Sequence, residues 1–197
     1  MSIQARVQPT REEDEPSQEV FGWLLSITVG DMTRLASRIR HRVLHASTST
    51  SRLVARVAGP FNLVHIVELD HLKRVIRVPA STGSGDGMTK TAARALESQV
   101  TVMRLIAKET RIPVPTVYEF DTSSDNDIGA PYICMSFVSG DTVSRLWFDG
   151  PTSRAMEDRR LRILESTAKA MAQLSRLSFK KIGSPYEGTD GTIAIDP

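Results

Sequence analysis

The sequence predicts an α+β fold, and three observations carry that expectation. Three β-like runs, "RLVARVAG", "NLVHIVELD" and "KRVIRVPA", follow one another with short connections, which implies an antiparallel meander. A helix with a clean apolar stripe comes next and is stopped by two prolines. Two further β-like runs, "VPTVYEFD" and "APYICMSFV", then lead into a last long helix. The order is strand, strand, strand, helix, strand, strand, helix.

Composition bounds the function. A chain of 197 residues is long enough for one ordinary domain, or for one small lobe and part of another. A net charge of +2 is close to balance and gives no reason to expect a nucleic-acid partner. The longest apolar runs fall far short of a membrane span, so no membrane partner is expected. The opening "MSIQARVQPTREEDEPSQ" lacks the apolar core of a secretory signal. The single cysteine, Cys134, excludes an internal disulfide framework, and the expected location is cytoplasmic.

Along the chain, residues 1–18 are polar, carry Pro9 and Pro16, and read as a disordered tail. Residues 19–46 read as an N-terminal helical segment, with a break at Gly30-Asp31 and Asp31 as its N-cap. Its cluster of Arg34, Arg38, Arg40, His41 and Arg42 is either a phosphate-binding face or, as the ordinary reading has it, a solvated helix face. "STSTSR" is linker-like. Asp70-His71 marks a tight turn between the second and third strands, and "STGSGDGMTK" is a flexible loop. Over 91–111, Leu96, Val100, Met103 and Ile106 recur at helical spacing. The final helix is expected over 155–178, with Leu161, Leu164, Ala168, Met171 and Leu174 on one face. Left exposed, that face would invite self-association.

One residue resists this pattern. Arg77 sits among Val75, Ile76 and Val78 in a run that otherwise reads as a buried strand. A guanidinium left unpaired at low dielectric costs several kcal/mol. Either it snorkels to water at the sheet edge, or the chain supplies an acid to meet it.

The stretches "GPFNLVHIVEL", "RVIRVP", "ALESQVTVMRLIAKETRIPVPTVYEFD", "IGAPYICMSFVSGDTV" and "KKIGSPY" resemble the aminoglycoside phosphotransferase and choline kinase-like family, its fungal members especially. The resemblance runs from about residue 50 to the end. It implies a protein-kinase-like small lobe over 52–139, a five-stranded antiparallel sheet plus one helix. Residues 140–197 would then be the first helices of a large lobe, incomplete in this sequence.

The resemblance also implies roles. The basic residue of the third strand contacts the α/β-phosphates of ATP and pairs with a glutamate of the next helix, which puts Arg77 with Glu97. A guanidinium fork suits both partners. The turn between the first two strands, with Gly59 and Asn62, would cover the phosphates. On its own residues that turn is equally an ordinary hairpin, because Pro60 removes a donor. Met135 would line the back of an adenine pocket. The Ser136 carbonyl and the Val138 amide would make the two adenine hydrogen bonds. Cys134 reads as a plain core residue.

The family's catalytic loop, a His-Gly-Asp followed by an asparagine, has no match. The four histidines, at 41, 45, 65 and 71, are not followed by Gly-Asp and all precede the hinge strand. No catalytic and no metal-ligating residue is therefore expected here, ATP binding should be weak, and magnesium would require the rest of a large lobe. Two functions stay open. One is the ATP-binding lobe of a small-molecule phosphotransferase, truncated before its catalytic loop. The other is a non-catalytic module that binds nucleotide or a partner.

Overall fold

The computed structural model describes residues 20–44, 51–80, 89–148 and 153–196. The tail expected over 1–18, and most of the linker-like and Gly/Ser-rich stretches, lie outside the described residues.

The N-terminal segment opens with a 3-10 turn, Gly22–Ser26, and continues as helix α1, Val29–Leu44. The start differs from the one expected. Thr28, not Asp31, caps the helix: the Asp31 N–H donates to Thr28 Oγ1 (3.1 Å) while the Thr28 N–H donates to Asp31 Oδ2 (3.0 Å). This reciprocal pair satisfies two amides that the first helical turn leaves without partners, so the chain breaks just before Thr28 and runs through Gly30 as helix.

Strands β1 (Ser51–Ala58), β2 (Asn62–Leu69) and β3 (Leu72–Pro79) form the expected meander. Asp70 and His71 both adopt positive φ, as a two-residue mirror-image turn requires. Asp70 also pairs with Arg40 of α1. Helix α2, Lys90–Glu109, is capped by Thr89, whose side chain accepts from the Ala92 N–H. Then come β4 (Val117–Asp121) and β5 (Tyr132–Ser136), giving one antiparallel sheet in the order β1-β2-β3-β5-β4. The crossover through α2 thus places β3 at the centre of the sheet.

Strand alternation divides the core. Leu63, His65, Val67 and Leu69 of β2, Ile76 and Val78 of β3, and Tyr132 and Cys134 of β5 are buried on the face that packs against Met32, Leu35, Ala36 and Ile39 of α1. Ile133 and Met135 point the other way, onto Leu96 and Val100 of α2. Each such fully buried aliphatic side chain contributes about 1.5–3 kcal/mol. Helix α1 is therefore one layer of the same core as the sheet, although the sequence reads as a separate helical segment there.

Beyond the sheet, a short helix α3 (Val143–Phe148) precedes α4 (Arg154–Ala172), which ends in a 3-10 turn, Gln173–Arg176. Leu161, Leu164, Ala168, Met171 and Leu174 are all exposed. A hairpin that the periodicity did not reveal, β6 (Ser184–Glu187) with β7 (Ile193–Asp196), folds back against α2. Gly183 permits it: a Cβ there would lie 2.0 Å from the Asp196 carbonyl oxygen. Among the described residues no helix is long and apolar enough to cross a membrane.

Candidate nucleotide site

Arg77 lies opposite Val64 of β2 and Ile133 of β5. With strands on both sides it has no sheet edge to reach, and its guanidinium instead extends over the sheet face, where its contact with α2 is exposed. Its neighbours Ile76 and Val78 face α1, so Arg77 faces α2. The guanidinium is half-buried, and desolvation holds its pKa below the usual arginine value. Its partner is Gln99: Arg77 Nη2 donates to Gln99 Oε1 at 2.5 Å.

The expected ion pair with Glu97 is not formed. Two residues along a helix is a rotation of about 200°, so Glu97 and Gln99 cannot share a face. Leu96, Gln99, Val100 and Met103 form the row that meets the sheet. Arg94, Glu97 and Arg104 lie on the row that meets the β6–β7 hairpin, where Arg94 pairs with Asp196 at 2.5 Å and Arg104 with Glu187 at 3.5 Å. Glu97 lines a cleft of about 250 Å³ between α2 and the hairpin, with Arg94, Ser184, Tyr186 and Asp196. Turning α2 to bring Glu97 to Arg77 would expose Leu96 and Val100, a loss of several kcal/mol at about 1.5–3 kcal/mol each. A polar residue inside an otherwise apolar stripe was the sequence signal for Gln99. The expectation of an acid drew attention to Glu97 instead.

The hinge residues occupy distinct environments. Met135 is buried beneath α2 beside Ile133, Leu96 and Val100. The Ser136 N–H donates to the Thr116 carbonyl, and Ser136 Oγ accepts from the Thr116 N–H, both at 2.9 Å. This double clasp fixes the end of β5. Val138, two residues on, is 66% exposed, and its amide makes no hydrogen bond among the described residues.

The β1–β2 turn is tight. The Gly59 N–H donates to the Asn62 carbonyl at 2.9 Å, and the Ala80 N–H donates to the Phe61 carbonyl at the same distance. With the Gly59 N–H spent on closing the turn and Pro60 lacking one, the amides this turn can offer a phosphate are those of Phe61 and Asn62.

The basic cluster of α1 is in large part the solvated helix face that its sequence suggested, with Arg34, Arg38, His41 and Arg42 exposed and Arg40 buried, but three of its arginines also make ion pairs beyond the helix. Arg38 pairs with Asp127 at 3.0 Å, Arg40 with Asp70, and Arg42 with Glu119, so these arginines fasten the helix to the sheet and its loops. Glu119 also accepts from the Tyr132 hydroxyl at 2.6 Å. Cys134 is a core residue, as expected: burial pushes its thiol up to about 12. Among the described residues no three His, Cys, Asp or Glu side chains group to hold a metal ion.

The chain is similar to several known proteins. The chain is 31% identical over 139 residues to a subtelomeric hrmA-associated cluster protein of Aspergillus fumigatus, a match covering 70% of this chain and 25% of that protein. It is 25% identical over 125 residues to the "altered inheritance of mitochondria protein 9, mitochondrial" of Candida tropicalis, covering 62% and 20%. A probable acyl-CoA dehydrogenase of Arabidopsis thaliana matches over 105 residues at 30% identity, covering 53% and 12%. The chain thus spans a quarter or less of the length of these relatives. The model of the phosphotransferase enzyme family (APH) matches residues 31–192, from the first turn of α1 to the final hairpin, and the chain belongs to that family.

Proposed function

We propose that this chain is the nucleotide-binding lobe of a small-molecule phosphotransferase that uses ATP. The observation that carries this reading is Arg77, a half-buried guanidinium on the central strand whose partner among the described residues is a neutral amide. Its positive charge is left for an anionic ligand to compensate. ATP, when bound, supplies the transferable phosphoryl group.

In this reading Arg77 holds the phosphates, assisted by the amides of Phe61 and Asn62. Met135 backs the adenine, and the Ser136 carbonyl and the Val138 amide, which has no partner among the described residues, hydrogen-bond to it. Glu97 has no direct part. The reduced supply of donors at Gly59-Pro60 makes binding weak. Magnesium would need carboxylates that the described residues do not group. Positioning and metal electrostatics carry nearly all the rate in phosphoryl transfer, so the activity proposed for these 197 residues is binding.

A thermal-shift titration tests this. ATP at millimolar concentration should raise the melting temperature of the chain, and Val138→Pro, which deletes the hinge amide, should abolish the shift. No shift, or one indifferent to Val138→Pro, rejects the hinge assignment.

A further inference from the structure

We propose that the cleft between α2 and the β6–β7 hairpin binds a basic α-amino acid, held by Arg94, Glu97 and Asp196. The inference is independent of the nucleotide reading above. Three observations carry it. The cleft has a volume of about 250 Å³ and is lined by Arg94, Glu97, Ser184, Pro185, Tyr186 and Asp196. Its volume lies just below the range of drug-sized pockets and suits a smaller molecule. Polar groups of both elements converge on it unused: the side chains of Glu97, Ser184 and Tyr186 have no hydrogen bond or ion pair among the described residues. Arg94 is held in place by Asp196 at 2.5 Å, a contact made through Nη1 that leaves Nε and Nη2 to a ligand.

The backbone sets the spacing of these groups. Arg94 and Glu97 are three residues apart on α2, which makes them neighbours on one row with Cβ atoms about 5–6 Å apart. Ser184 and Asp196 are cross-strand partners, and Tyr186 follows on the same side of β6. A guanidinium and two carboxylates thus meet around one cavity. One positive and two negative charges favour a ligand of net charge +1, and neither a simple anion nor a neutral molecule uses all three. A basic amino acid does. Its carboxylate takes the remaining fork nitrogens of Arg94, its α-ammonium donates to Glu97, and its side-chain cation donates to Asp196. Pro185 and the Tyr186 ring supply an apolar wall for its aliphatic stem. The row that carries Arg94 and Glu97 turns away from Arg77, so an amino acid here is a bound ligand and not a phosphate acceptor. Arg94 and Glu97 are exposed, which screens each contact and sets a dissociation constant on the order of 1 mM.

The test titrates the full chain with L-lysine at constant ionic strength and follows the assigned backbone amides. L-Lysine should move the amides of Arg94, Glu97, Ser184, Tyr186 and Asp196 with one saturable constant. Cadaverine, which is lysine without its carboxylate, should bind about fivefold more weakly, because Arg94 gains no partner and repels the extra charge. Glu97→Gln, a change at an exposed position, should weaken L-lysine by about fivefold as well. Arg94→Lys keeps the charge opposite Asp196 but loses the fork, and it should bring the constants of L-lysine and cadaverine within about twofold of each other. Arg77→Ala should leave the L-lysine constant unchanged while it weakens ATP, which separates this site from the nucleotide one. Equal constants for cadaverine and L-lysine in wild type overturn the inference and leave a patch that collects cations. An L-lysine constant indifferent to Glu97→Gln overturns it, and so does the absence of any saturable shift at the cleft.

Discussion

Arg56 Nε lies 3.1 Å from His65 Nε2, and the same guanidinium also donates to the carbonyls of Leu25 and Ile27. One arginine of β1 thus ties a buried histidine of β2 to the segment that enters α1. For Arg56 to donate to it, Nε2 must be unprotonated, so the contact requires a neutral imidazole.

Stability should therefore fall in mild acid. Burial, and secondarily the Arg56 charge, hold the His65 pKa down from 6.5 to about 4. Between those values the unfolded chain binds the proton and the folded chain does not, so stability is full above pH 6.5 and lost progressively as pH falls towards 4. The loss is on the order of 3 kcal/mol. Urea unfolding at pH 7, 5.5 and 4.5 checks it. His65→Gln, which keeps an acceptor but cannot titrate, should flatten much of the slope between the two higher values. An unchanged slope in that variant would assign the pH dependence to other groups.

The Tyr132 hydroxyl is the second site where a small change should register. It donates to Glu119, whose carboxylate is shared with Arg42 of α1. Burial, and next the Glu119 hydrogen bond, push the phenol above its usual pKa, so it stays a donor throughout the working range. Tyr132→Phe removes a charge-assisted hydrogen bond and should cost about 1.5–3 kcal/mol. Arg42→Ala should cost less, because more than half of that side chain is exposed and its ion pair is screened. Equilibrium unfolding ranks the two. The reverse order would show that the helix contact, not the tyrosine, anchors Glu119.

Capping gives a local test of how α1 begins. Thr28→Ala deletes the hydroxyl that accepts from the Asp31 N–H and should cost about 1 kcal/mol, whereas Thr28→Ser should be nearly silent. Asp31→Ala should resemble Thr28→Ala, since it removes the other half of the reciprocal pair. A silent Thr28→Ala with a silent Gly30→Pro would move the cap back towards Asp31.

The stripe on α4 makes a prediction about association. Leu161 and Met171 are each 62% exposed, and Leu164 and Leu174 extend the same apolar face. The isolated chain should self-associate with rising concentration in sedimentation velocity, and Leu161→Gln with Met171→Gln should reverse it. A wild-type chain that sediments as a monomer throughout would show that this face is tolerated in water.

Much of the fold could be read from the sequence, for identifiable reasons. The meander was legible because Asp70-His71 is a two-residue turn between alternating aliphatic runs, and α2 was legible because Pro113 and Pro115 bound its stripe. The β6–β7 hairpin was not, since four-residue strands carry too little periodicity to separate from loop. The docking of α1 was hidden as well. Its arginines look like a solvent face until Asp70, Glu119 and Asp127, distant in sequence, are brought beside them. At the site, the position of Arg77 was legible but its partner was not. Charge complementarity pointed to Glu97, while helical phase decided for Gln99.

Amide shift mapping is the most direct measurement of the central claim that the sheet and its hinge form a nucleotide site. With the backbone amides assigned, ATP is titrated to millimolar concentration and the perturbed residues are located on the fold. The expected perturbations lie at Phe61 and Asn62, around Arg77 on β3, and from Ser136 to Val138, all moving with one saturable constant and all reduced in Arg77→Ala. Perturbations confined to the cleft between α2 and the β6–β7 hairpin, or no saturable change anywhere, would contradict it.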